Sequence, residues 1–104
     1  MPDAFLSGHR TSVISLAASN KVPSISQESE LTRGGLLISY GPDLGDLYRR
    51  AAPYVDLILR GAKPSELPVQ LPVKFHMAVN VKTAKALGLS VPQSILLRVD
   101  EVIE

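Results

Sequence analysis

Apolar residues recur along the chain at two spacings, helical and alternating, and the switches between them mark out the elements. From Ser7, a natural N-cap, Val13, Leu16, Ala17 and Asn20 recur every three to four residues and predict a helix to about Asn20. Lys21 closes it, where a cation suits the negative end of the helix dipole. Val22 to Ser26 reads as a short strand, with Pro23 near its start where proline is tolerated. Gln27 to Thr32 is polar and predicts a loop or one helical turn. Gly34-Gly35 breaks the chain, and the compact apolar run Leu36 to Tyr40 predicts a buried strand.

Gly41-Pro42-Asp43 then turns into the clearest helix. Leu44, Leu47, Tyr48, Ala51, Val55, Ile58 and Leu59 repeat along one face, with Asp43 at the N-cap and Gly61 at the C-terminal cap. Leu47, Tyr48 and Val55 are expected in the core, with Arg49 and Asp56 in solvent. Pro53 lies inside this helix, removes a backbone donor and crowds the Arg49 carbonyl, so a kink is expected. Lys63 to Pro72 contains Pro64, Pro68 and Pro72 and predicts an extended crossing. Lys74 to Asn80 alternates, placing Phe75, Met77 and Val79 on one face of a strand. Asn80 caps a short helix, Val81 to Leu87, that Gly88 ends, and Val91-Pro92 opens a last helical turn or two through Ile95, Leu96 and Val99.

Strands alternating with helices predict an α/β fold, a short parallel sheet with flanking helices. An α/β unit normally begins with a strand, but this chain opens at a loop, and the strand expected before Pro2 is missing. A length of 104 residues allows one domain, residues 1–104, and a deep cleft with two full walls is hard to build from it.

Composition narrows the function classes. Eleven basic and ten acidic residues are scattered, with Arg49-Arg50 the longest basic run, so the basic stripe expected of a nucleic-acid partner is missing. Without cysteine, disulfides, thiolate metal sites and cysteine nucleophiles are excluded. The start lacks a signal-peptide pattern, and no apolar run approaches the roughly 20 residues that span a bilayer. As written, a cytoplasmic location is expected. Phosphate loops, dinucleotide fingerprints and nucleophile elbows are missing, and His9 and His76 are not clustered as metal ligands would be. No enzyme, cofactor or metal site is expected. Tyr40 and Phe5 lie where strands meet loops, the ends at which open α/β sheets bind ligands. Each reads either as a core aromatic or as a ligand or hinge residue.

Several blocks, in order, carry a resemblance over the whole chain. They are Pro2-Asp3-Ala4-Phe5 with His9-Arg10, Gly34 to Pro42, Asp46 to Ala52, Tyr54-Val55-Asp56, Ile58 to Pro64, Leu67 to Gln70 and, most specific, Asn80-Val81-Lys82-Thr83-Ala84-Lys85-Ala86-Leu87-Gly88-Leu89. The sequence resembles the last third of ABC transporter substrate-binding proteins whose members include tryptophan and tyrosine binders. Pro53 and His76 depart from the family pattern, which has small non-proline and acidic residues there.

The resemblance implies part of a type I periplasmic-binding-protein fold of two lobes, with the solute between them. It implies a periplasmic location for the family, an ABC transporter permease as partner of the full-length protein, and a small amino-acid-like solute, with aromatic ones among the candidates. Asp3, Phe5, Gln27, Glu28 and Tyr40 are the implied ligand-binding residues. The loop at Asp3 to Phe5 and Ser26-Gln27-Glu28 would face the solute. Ser39-Tyr40-Gly41 and the proline-rich segment would cross toward the other lobe. The chain is expected to be a C-terminal fragment without full binding activity. The alternative is a free-standing intracellular module for self-association or partner binding. Unpaired strand edges at Val22 to Ser26, Leu36 to Tyr40 or Lys74 to Asn80 lead to an expected homo-oligomer.

Overall fold

The computed structural model describes residues 3–104, so Met1 and Pro2, and the motif position at Pro2, lie outside the described residues. Residue contacts divide the chain, expected as one domain, into two compact units. Among the described residues, one comprises residues 3–41 and 76–104, the other residues 42–75.

The first unit opens with α1 (Ala4–Gly8), N-capped by Asp3, and α2 (Arg10–Ser19). The expected single helix from Ser7 is thus two. The break falls at His9, whose N–H is shared between the Phe5 and Leu6 carbonyls. The stripe of α2 is also shifted: Val13, Ile14 and Ala17 are half-buried, whereas Leu16 is exposed. Strand β1 is only Ile25–Ser26, α3 spans Ser29–Gly34, and β2 spans Ile38–Pro42. From the last residue of the second unit onward come β3 (Phe75–Asn80), α5 (Val81–Ala86), α6 (Gln93–Leu96) and β4 (Glu101–Ile103). Strand β4, which no spacing predicted, occupies the segment just beyond the expected terminal helix.

The four strands form one sheet in the order β1-β2-β3-β4. The outer pairs are parallel, Ile25 opposite Ile38 and Val79 opposite Val102. The central pair is antiparallel: the Asn80 N–H donates to the Leu37 carbonyl at one end and the Asp43 N–H to that of Lys74 at the other. The α/β class therefore stands with a mixed sheet. Its open edges are β1 and β4, while β2 and β3, two of the expected free edges, are interior. Burial along β3 rises from exposed Phe75 to fully buried Ala78, Val79 and Asn80, covered on both faces as a central strand is.

Asn80 organises this core. Its Nδ2 donates to the Thr32 carbonyl (3.0 Å) and its Oδ1 accepts from the Thr83 N–H (2.9 Å), which caps α5 as the sequence predicts. Thr83 Oγ1 donates to the Gly35 carbonyl at 2.9 Å. Arg33 ties α3 to β4 through two bonds to Glu101, at 2.9 and 2.8 Å. The Arg33 hydrogen bond holds the Glu101 carboxyl below the ordinary glutamate range.

In the second unit, α4 (Leu44–Leu59) runs through Pro53, N-capped by Asp43, which accepts from the Asp46 N–H at 3.0 Å. A 3-10 turn follows at Pro64–Glu66, then an extended chain. Arg50 donates to the Leu71 carbonyl and to Gln70, and the Tyr54 hydroxyl to the Pro68 carbonyl, so α4 meets this chain through polar contacts. The apolar stripe does not become a core. Leu47 is half-buried, but Val55 is 55% and Tyr48 78% exposed, and no residue of α4 is buried.

Replacing Asn80 with alanine removes the cap and one of two bonds to the Thr32 carbonyl, which keeps the 3.2 Å bond from the Gly35 N–H. These effects cost about 1 and about 0.5–1.5 kcal/mol respectively. Urea denaturation should show a loss of about 1.5–2.5 kcal/mol for Asn80→Ala, and within about 0.5 kcal/mol for exposed Tyr48→Ala. Equal losses would refute this core.

Candidate functional site

A pocket of about 210 Å³ opens in the first unit where β1 ends. Ser24 to Glu28 line it together with Asp3, Leu6 and Ser7 of α1 and its cap, and Val13, Leu31 and Leu36 add apolar lining. The sequence dictates this shape. Asp3 Oδ1 accepts the Phe5 N–H at 2.7 Å, so the expected solute-facing loop is the first turn of α1 with its cap. Ser7 Oγ donates to the Glu28 carboxylate, 2.9 and 3.1 Å from its two oxygens, and fixes it across 21 positions of sequence. Ser26 Oγ donates to the Glu28 carbonyl at 2.9 Å and turns the chain from β1 into α3. Gly41 permits close approach on the other side of this turn: a Cβ there would lie 2.4 Å from the Gln27 carbonyl oxygen.

Three of the five expected ligand residues, Asp3, Gln27 and Glu28, therefore line one pocket. Phe5 and Tyr40 do not. The Phe5 ring is 68% exposed and packs on His9 with centroids 4.2 Å apart; Tyr40, on β2, is half exposed. Neither is a core aromatic. Ser26, in the loop expected to face the solute, also lines the pocket, as do Ser7 and Ser24, which no spacing marks as ligand residues. A second pocket, about 200 Å³ and apolar, is lined by Leu37, Val79, Leu89, Val91 and Ile95 among others. Among the described residues, no three His, Asp or Glu side chains gather as metal ligands would, and no helix is long and apolar enough to cross a membrane.

The match that decides the family is a model described as ABC transporter substrate binding protein, which covers residues 1–103. The chain belongs to that family. No curated protein sequence matches this member of the family. Among solved structures it is similar to a conserved domain protein from Vibrio cholerae O1 biovar El Tor, at 26% identity and a TM-score of 0.90, over 96% of this chain and 34% of that one. It is also similar to an ABC domain in complex with L-Trp from Streptococcus pneumonia, at 29% identity and a TM-score of 0.86, over 97% and 35%. A ligand-free, open substrate-binding protein with adhesive properties from Clostridium difficile matches at 27% identity and a TM-score of 0.65, over 97% and 34%. This member of the substrate-binding family thus spans about a third of the length of the solved structures it matches.

Proposed function

We propose that this chain forms one wall of the solute site of an amino-acid-type ABC substrate-binding protein, as the C-terminal portion of a two-lobed molecule. The observation that carries the reading is the pocket that unites Asp3, Gln27 and Glu28 at the carboxyl end of β1, where open α/β sheets bind ligands. The family match and the L-Trp complex of a related structure support an amino acid as solute, with an aromatic side chain the preferred kind. The working partner of the whole protein is an ABC transporter permease and the working compartment the periplasm. The chemistry is capture and release, not catalysis.

A small-molecule site encloses most of its ligand, and one wall leaves much of a solute in water. Residual binding in the millimolar range is expected, about 4 kcal/mol of affinity. Titrating L-tryptophan, L-tyrosine, L-phenylalanine and the branched-chain amino acids into labelled protein should shift the amide resonances of Ser24 to Glu28 at millimolar concentration. A dissociation constant near micromolar would contradict the one-wall reading, and shifts from none of these solutes would contradict the solute site.

A second reading, self-association as a homodimer or larger, is favoured by the second unit. Its 34 residues, 42–75, include none that is buried, while Leu44, Tyr48, Val55 and Leu59 on α4 and Val69, Leu71 and Val73 on the extended chain are exposed. Chains below about 40 residues rarely hold a core alone, and apolar patches beyond a few hundred Å² are rare on monomers. Pairing would bury these faces in a mostly apolar interface above about 1,000 Å². Sedimentation equilibrium at micromolar concentration should give at least twice the 11.2 kDa chain mass. A clean single-chain mass would remove this reading.

A further inference from the structure

We infer that the pocket at the end of β1 takes the ammonium group of an amino-acid-type solute, and that the solute's carboxylate is held elsewhere. This rests on the solute-site reading above and adds the polarity of this wall.

The formal charges on the pocket's described lining are Asp3 and Glu28, both negative, with no lysine, arginine or histidine beside them. A ligand carboxylate placed there would meet like charge without a cation to offset it, which disfavours binding. The hydrogen-bond directions give the same sign independently of charge. Each serine hydroxyl on the wall already donates within the chain: Ser7 to the Glu28 carboxylate, Ser24 to the Val22 carbonyl at 3.1 Å, and Ser26 to the Glu28 carbonyl. With its hydrogen committed, each hydroxyl presents lone pairs to a ligand. Asp3 and Glu28 have two carboxylate oxygens apiece, and Asp3 spends Oδ1 on the Phe5 N–H. The wall is therefore rich in acceptors, and exposed Gln27 is its remaining side-chain donor among the described residues. An ammonium group has three donors and no acceptor, and matches it. A carboxylate has acceptors only and does not. The Ser7 bonds also fix the Glu28 carboxylate before a ligand arrives, which reduces the ordering cost of binding.

Three probes with a common indole ring separate the two ends: tryptamine carries only the ammonium, indole-3-propionate only the carboxylate, and L-tryptophan both. Each is titrated into the isotope-labelled chain while the amides of Asp3 and of Ser24 to Glu28 are followed. Tryptamine and L-tryptophan should shift these amides, and indole-3-propionate should bind at least tenfold more weakly or not at all. Glu28→Gln, which keeps shape and removes charge, should weaken tryptamine at least fivefold. Asp3→Asn is the second variant should Glu28→Gln fail to give a native spectrum. Equal or tighter binding of indole-3-propionate at these amides would overturn the inference and leave the solute site standing. So would tryptamine binding that is unchanged in both variants. Shifts from none of the three probes would overturn both.

Discussion

The described core depends on one buried amide. Asn80 sits 4% exposed at the end of β3, and its carboxamide has two directional partners, the Thr32 carbonyl and the Thr83 N–H. A buried amide without partners costs several kcal/mol. With them, it positions three elements at once, because Thr32 lies on α3, Thr83 in the first turn of α5, and Asn80 itself on the strand between β2 and β4. The position of α3 in turn sets the start of that helix, Glu28, and hence the carboxylate that Ser7 fixes in the pocket. A packing constraint inside the sheet therefore reaches the chemistry at its edge.

The apolar part of this core is small. Leu36, Ala78, Val79 and Ala84 are its buried hydrophobic residues among those described, and two are alanines. Buried hydroxyls accompany them, and Thr32 Oγ1 and Ser39 Oγ have no hydrogen-bond partner among the described residues. Such groups reduce stability by about 1–3 kcal/mol each. The second unit depends on helix propensity, the Asp43 cap and the polar contacts of Arg50 and Tyr54. Apolar residues on α4, Tyr48 and Val55 among them, and Val69, Leu71 and Val73 beyond it are left in water.

Local chemistry was legible wherever a single residue decides a local geometry. Asp43 and Asn80 cap the helices assigned to them, Gly61 takes a positive φ of 106° past the end of α4, and the alternation over Lys74 to Asn80 marks β3. What periodicity could not reveal was what covers a face. The stripe through Leu47, Tyr48, Val55 and Leu59 is a sound amphipathic pattern, but spacing states only that a face is apolar, and here Tyr48 and Val55 stay in solvent. The three residues of β4 are too few to carry a period, and the antiparallel central pairing is a matter of topology, not of local sequence. In the candidate site, Asp3, Gln27 and Glu28 stood out in the sequence, whereas the bond by which Ser7 fixes the Glu28 carboxylate was visible only once the chain was folded.

If Asn80 holds the core together, protection from unfolding is concentrated around it and is low along α4. Native-state amide hydrogen exchange, in samples dilute enough to give a single-chain mass, measures this directly. The amides of Ala78 to Asn80 and of Thr83 should be among the slowest, and those of Leu47 to Leu59 at least about 100-fold faster, as expected of a segment that opens locally. Protection of the α4 amides equal to that of Ala78 to Asn80 would show that the core is not centred on Asn80.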